Sequence, residues 1–250
     1  ELMSAKLVAP FFGSSLYVWA SVMGVTLGGL MAGYYSGGYL SEKTKRKDLV
    51  FWILLLAGVF LAIMPYTSIW IMSTTIEMSV KWGSTVSLLI FMFPPLILMG
   101  MSSPIIINMI NTNLDQTGKS AGKVYAISTF GGIIATYWVG FYLMPEFGIK
   151  WPAFVFGLLL IVFSLLGLLK RKNYMGLLVI LPLFFLFLSN SKPSIASQGG
   201  TTLVYESEGV FGQIRVFDKP YPTYTRGTHM ARILSVNNIE QSSAFRDNLE

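Results

Sequence analysis

Long apolar runs separated by short polar stretches fill the first 190 residues of the chain. Between Lys6 and Glu42, 35 successive residues include no Asp, Glu, Lys or Arg, and five comparable gaps follow. A helix needs about 20 apolar residues to cross the hydrocarbon layer of a bilayer. The pattern therefore predicts six membrane crossings, at residues 16–39, 49–66, 85–110, 124–144, 151–169 and 174–189.

The composition agrees with a membrane protein. Hydrophobic residues make up 53% of the chain and charged residues 12%, and the mean hydropathy is +0.60. These values exclude a collagen, a disordered tail and a disulfide-stapled secreted domain. Because the chain has no cysteine, disulfides, thiolate metal sites and cysteine nucleophiles are excluded as well. The predicted fold class is mainly α, a polytopic transmembrane helix bundle of about six helices whose main partner is the lipid bilayer.

The positive charge belongs to the membrane part, since residues 1–190 hold 12 Lys or Arg against 6 Asp or Glu. Nine basic residues follow the first, third and fifth crossings: Lys43, Lys45, Arg46, Lys47, Lys119, Lys123, Lys170, Arg171 and Lys172. The opposite face has only Lys6, Lys81, Lys150 and Lys192. By the positive-inside rule the nine face the cytoplasm, so we expect an integral protein of the cell (inner or plasma) membrane. Such residues set orientation and meet anionic lipid, and no nucleic-acid partner is predicted.

Small residues recur at helical spacing on two crossings. The first carries Gly24, Gly28, Gly29, Gly33 and Gly37, and the fourth carries Gly131, Gly132, Ala135 and Gly140. Such rows let helix backbones approach closely in a bilayer. We expect them to pack inside one bundle; helix–helix association in a dimer and a sliding transport surface are the alternatives.

The third crossing contains Pro94, Pro95 and Pro104. Each proline lacks a backbone donor, so kinks are predicted there. We expect helix caps from three asparagines at its cytoplasmic end, Asn108, Asn111 and Asn113. None of the six crossings contains Asp, Glu, Lys, Arg or His, the groups that proton-coupled and ion-coupled transporters place within the bilayer.

The composition changes after residue 190. Residues 191–200 form a polar linker, and residues 201–250 are predicted to form a small β unit. The predicted strands cover residues 201–205, 213–218, 230–236 and 239–242, with Asn237 and Asn238 as a tight turn. Fewer than sixty residues bury little core, so we expect this unit to need a continuation or a partner.

The tail resembles the opening β-structure of spermidine synthases, the polyamine aminopropyltransferases. Its motifs are YES at 205–207, GQIRVFD at 212–218, RIL at 232–234 and NNIEQS at 237–242. The segments PFFGSSLYVW at 10–19, GYYSGGYL at 33–40, SP at 103–104 and AGKVYA at 121–126 are similar to the multi-pass segment fused ahead of spermidine-synthase-like domains. The resemblance covers nearly the whole chain and divides it into a membrane domain (1–190), a linker (191–200) and the first strands of a transferase domain (201–250).

Two glutamines become candidate substrate-binding residues through this resemblance. In the family, a glutamine after the strand entry and a second one in the following hairpin line the pocket for decarboxylated S-adenosylmethionine, which implies these roles for Gln213 and Gln241. A glutamine amide both donates and accepts hydrogen bonds, so it suits the neutral part of a nucleoside. Surface glutamines without a ligand are the alternative. The chain also differs from the soluble enzymes by Asn237 and Asn238 in place of an Asp-Gly turn.

The resemblance implies that the intact protein transfers an aminopropyl group from decarboxylated S-adenosylmethionine, as co-substrate, to a diamine. The family's nucleotide-binding domain would follow residue 250, so we expect the present chain to bind no cofactor and to be inactive alone. The sequence offers no glycine-rich phosphate loop, and His229 is expected to be a strand-edge residue. The alternative function is a major-facilitator-like transporter module for a polyamine or another small solute, because residues 33–47 resemble the loop signature of those transporters.

Overall fold

The computed structural model describes residues 2–44, 48–110, 117–179, 202–209, 212–223, 227–236 and 239–245. The helices are α1 (Leu2–Phe12), α2 (Leu16–Lys43), α3 (Leu49–Thr75), α4 (Val80–Phe91), α5 (Phe93–Ile110), α6 (Thr117–Trp138), α7 (Met144–Phe147) and α8 (Lys150–Lys170). A π-helix, Val139–Leu143, joins α6 to α7, and a 3₁₀ helix, Tyr174–Val179, follows α8. The strands are β1 (Thr202–Gly209), β2 (Gly212–Thr223), β3 (Gly227–Val236) and β4 (Ile239–Phe245).

The helical bundle confirms the mainly helical part of the predicted fold class, with five candidate membrane crossings. Within the described residues, five helical stretches are long and apolar enough to cross a membrane: α2, α3, α5, α6 to α7, and the part of α8 from Trp151. The third predicted crossing, 85–110, is divided at Met92 into α4 and α5. Of the sixth predicted crossing, 174–189, only the 3₁₀ helix is described; the rest lies outside the described residues, and that crossing stays a prediction.

Helices α2 and α5 pack backbone against backbone through glycine. A Cβ placed on Gly33 would lie 2.9 Å from the Cα of Gly100, and one placed on Gly100 would lie 3.1 Å from the Cα of Gly33. Gly29 and Gly37, one turn away on either side of Gly33, are held against α5 equally closely. The part of the predicted glycine row that contains Gly29, Gly33 and Gly37 therefore packs inside the bundle.

Helices α3 and α8 form a second close pair. A Cβ on Gly58 would lie 2.9 Å from the carbonyl oxygen of Gly157, and a Cβ on Gly157 would lie 2.7 Å from the backbone nitrogen of Ala62. Leu55, Ile161 and other buried apolar residues pack around this contact. Both helix pairs thus use small residues where the backbones meet, as expected when lipid provides no hydrophobic drive between helices.

Polar contacts join the helices at the end of the bundle where Lys43, Lys119 and Lys170 lie, which we call the basic end. Arg171, after α8, forms an ion pair of 3.1 Å with Asp48, before α3. The Asn108 amide donates a hydrogen bond of 2.8 Å to the carbonyl oxygen of Ser41, in the last turn of α2. Asn108 therefore caps a helix end as predicted, although the helix is a neighbouring one; Asn111 and Asn113 lie outside the described residues.

The expected packing of the small residues on the fourth crossing is wrong for most of that helix. A Cβ on Gly131 or Gly132 would meet no atom within 4 Å, and α6 has no buried residue. On α2 the same open environment surrounds Gly24. Near the end of the crossing, Gly140 approaches Leu2, with 3.3 Å between an added Cβ and the Leu2 side chain. Spacing alone identifies a row of small residues but not whether a neighbouring helix lies against it.

The tail forms a four-stranded antiparallel sheet in the order β1-β2-β3-β4. The predicted strands are confirmed, and β1, β2 and β4 extend well beyond their predicted ends. Val236 pairs with Ile239, and the tight turn predicted at Asn237 and Asn238 lies outside the described residues. Alternate residues of β3 are buried, namely Ala231, Ile233 and Ser235. His229 lies near the start of β3, which is an inner strand of the sheet.

Replacing Gly33 by Ala should destabilise the bundle, because the added methyl group would separate α2 from α5. Overpacking of this kind costs about 1–3 kcal/mol. Gly24→Ala is the matched control, since it lies on the same helix with open space around it. The measurement is unfolding of the purified variants in detergent micelles. Equal stability of the two variants would contradict the proposed contact.

Candidate functional site

An ion pair fixes the centre of the sheet. The Nε and Nη2 atoms of Arg232, on β3, donate hydrogen bonds of 2.8 and 3.0 Å to the two carboxylate oxygens of Asp218, on β2. The Asp218 side chain is only 5% exposed, whereas that of Arg232 is 38% exposed. The hydrogen bond to Asp218 and its negative charge raise the pKa of the Arg232 guanidinium. This bidentate pair locks the β2–β3 register.

The two candidate glutamines lie near the same end of this sheet. Gln213 pairs with Glu208 of β1, next to the β1–β2 connection. Gln241 is exposed and lies on β4, two residues after the start of that strand. Because β3 separates β2 from β4, the backbones of the two residues are at least two strand spacings apart, about 10 Å. The structure therefore brings the glutamines to one end of the sheet without direct pairing.

The backbone at Gln241 is irregular. Glu240 pairs with Ser235 and Ser242 pairs with Leu234, so the ladder passes over Gln241. Such bulges redirect side chains and are frequent beside functional sites. The sequence did not predict this irregularity, because the four residues predicted for this strand, 239–242, do not define its register against β3.

The sheet contacts the end of the bundle opposite to the basic end. Strand β1 contacts α7, and β2 contacts α1. Helix α7 ends the crossing that begins with α6 at the basic end, and α1 leads directly into the start of α2. The sheet and the lysine-rich loops are therefore separated by the length of the bundle.

A second candidate site lies within the bundle. A cavity of about 500 Å³, which we call the main cavity, is lined by residues of α1, α3, α5, α6 and α8 together with Met92 and Val139. Four methionines contribute to its wall: Met3, Met64, Met92 and Met99. Its volume is within the range of sites for small ligands, about 300–1,000 Å³. Methionine side chains are flexible and polarisable, so they adapt to apolar ligands of irregular shape.

Two breaks in regular helix structure meet at the main cavity. The first is the α4–α5 junction, where Pro94 and Pro95 cannot donate to the preceding turn. The second is the π-helix that begins at Val139, and Met92, Pro95 and Val139 all line the cavity. Deviations of both kinds occur at functional sites of membrane and soluble proteins. The kink predicted from Pro94 and Pro95 is confirmed, whereas Pro104 lies within the continuous helix α5.

The lining of the main cavity determines which ligands it suits. Its polar side chains are the hydroxyl groups of Ser4 and Thr136, and the latter already donates a hydrogen bond of 2.8 Å to the carbonyl oxygen of Gly132. Its lining residues include no Asp, Glu, Lys, Arg or His. The described part of the chain also has no cluster of three or more His, Asp or Glu that could hold a metal ion. The cavity therefore suits an uncharged, largely apolar molecule.

Comparisons of the chain with protein-family models, curated proteins and solved structures found no match. Its class is defined by the fold: a helical bundle with several candidate membrane crossings that carries a small antiparallel sheet.

The sequence patterns did not predict the main cavity. The signals that could have found it are the neighbouring prolines of the third crossing and the methionines spaced along several spans, but their convergence depends on tertiary packing.

Proposed function

We propose that the chain belongs to a membrane-attached, spermidine-synthase-like aminopropyltransferase and that its sheet contributes to the pocket for decarboxylated S-adenosylmethionine. The observation that supports this function is the antiparallel sheet itself, which follows the membrane bundle and carries Gln213 and Gln241 near one end. The irregular ladder at Gln241 adds support, because it occurs at a residue for which the family resemblance implies a binding role.

The proposed reaction is an in-line displacement. The neutral amine of a diamine attacks the carbon next to the sulfonium of the donor, so that a carbon–nitrogen bond forms while the carbon–sulfur bond breaks. The sulfur leaves as a neutral thioether, and the new ammonium loses a proton to a base. The contribution proposed for Gln213 and Gln241 is to orient the donor through amide hydrogen bonds.

Replacing both glutamines by Ala should abolish saturable binding of labelled decarboxylated S-adenosylmethionine to the intact transferase in lipid nanodiscs. The reason is that each substitution removes an amide that is proposed to orient the donor. The single variant Gln241→Ala should weaken binding by about fivefold or more, since loss of one hydrogen bond that leaves a polar partner unpaired costs about 1–3 kcal/mol.

Ser243→Ala is the matched control, because Ser243 is exposed on the same strand two residues later. The proposal requires this variant to bind the donor as the unaltered chain does. Equal affinity of the Gln241→Ala and Ser243→Ala variants would contradict it, as would the absence of saturable binding to the folded intact transferase.

A transporter module is the second candidate function, and the broken helices around the main cavity favour it. Transporters place substrate sites near the bilayer midplane at interrupted helices. The apolar lining, however, opposes a polyamine as substrate, because no carboxylate of the lining would pair with its ammonium groups. We therefore expect no uptake of labelled spermidine by vesicles containing the chain, with empty vesicles as the control; concentrative uptake would favour the transporter over the transferase.

A further inference from the structure

The main cavity continues into a second one. The second cavity, about 330 Å³ in volume and here called the side cavity, lies between α1, the α6–α7 crossing and the start of α8. Leu2 and Thr136 line both cavities, so the two are direct neighbours. Together they form a groove between α6 and the rest of the bundle.

Helix α6 packs too loosely against the other helices to fill this groove. Its hydropathy, 1.3 over the most apolar window of the crossing, is lower than the 2.4 of α3, and only 6% of that window is buried. It is thus both the least apolar and the least packed of the candidate crossings. The side of the crossing that borders the groove carries the small residues Ala135, Thr136 and Gly140, which leave space that larger side chains would fill.

The two parts of the groove differ in chemical character. The main cavity is walled by methionine, leucine and other apolar side chains, and an apolar cavity of even about 150 Å³ stays dry and takes up apolar molecules. The side cavity contains Lys6, Tyr137 and Phe141 in its wall. Lys6 lies one helical turn beyond Leu2 towards the end of α1 that leads to α2. The groove therefore runs from an apolar interior to a cationic side chain.

We propose that this groove binds one acyl chain of an anionic phospholipid from the surrounding bilayer. The acyl chain occupies the main cavity, where it meets the methionine side chains, and the phosphate lies next to Lys6. The apolar acyl chain matches the apolar main cavity, and the negative phosphate matches the positive charge of Lys6. A phospholipid is also the amphipathic molecule present in excess around a membrane-spanning bundle. The proposal is independent of the transferase function.

The test uses the full chain in vesicles of phosphatidylcholine that contain photoactivatable phosphatidylglycerol with a diazirine in its acyl chain. We expect cross-links at Met92 that saturate and are displaced by unlabelled phosphatidylglycerol. Met92 is only 2% exposed, so lipid on the outer surface of the bundle does not reach it. Met31 is 68% exposed and should be labelled without saturation, which controls for the photochemistry.

Two neighbouring substitutions form a matched pair. Ala135→Phe adds a ring to the wall of the main cavity and should reduce labelling of Met92 several-fold. Ile134→Phe changes a side chain that is 52% exposed and does not line either cavity, so labelling should persist. Unchanged labelling of Met31 in both variants verifies that each variant is inserted in the membrane, and saturable labelling of Met92 in Ile134→Phe verifies that a ring at this part of α6 leaves the bundle folded.

The headgroup part of the proposal is tested by Lys6→Gln, which should remove the preference for phosphatidylglycerol over a phosphatidylcholine probe. An unchanged preference would overturn the assignment of the anionic headgroup. If another protein segment or a second copy of the chain fills the groove, Met92 stays unlabelled while Met31 is labelled, and the proposal is overturned. Equal labelling of Met92 in the Ala135→Phe and Ile134→Phe variants would also overturn it.

Discussion

The bundle depends on close contact between helix backbones. Lipid tails are as apolar as leucine, so helices in a bilayer gain little from burying apolar side chains against each other and rely on packing and hydrogen bonds. Here Gly33 meets Gly100 between α2 and α5, and Gly58 meets Gly157 between α3 and α8. Each contact brings the helix axes close enough for the side chains on either side to interlock. These two pairs include four of the five candidate membrane crossings.

Helix α6 lacks such a contact along most of its length, and this difference shapes both candidate sites. Because α6 does not pack closely against the bundle, a groove remains between α6 and α1. The irregular backbone at Met92 and Val139 borders this groove. The same crossing ends in α7, which contacts β1. The element that leaves the intramembrane cavity open therefore also helps to position the sheet that carries Gln213 and Gln241.

Sequence patterns predicted the features that depend on local composition. Apolar run lengths predicted five of the described helical crossings, the tail's alternation predicted four strands, and Pro94 and Pro95 predicted a break. These patterns did not distinguish Gly33, whose backbone contacts α5, from Gly131, where an added Cβ would meet no atom within 4 Å. Both glycines have a small residue four positions away in the sequence. The main cavity and the irregular ladder at Gln241 were also missed. The cavity arises from helices distant in sequence, and the ladder depends on the pairing register of β3 and β4, which local composition does not define.

We infer that the bundle spans the bilayer with the sheet and the basic loops at opposite ends. Because the chain has no cysteine, single cysteines can be introduced as Ser243→Cys on β4 and Lys119→Cys at the start of α6. The measurement is labelling by a membrane-impermeant maleimide in intact cells and after lysis. We predict that Ser243→Cys is labelled in intact cells and that Lys119→Cys is labelled only after lysis. Labelling of both positions from the same side would contradict it.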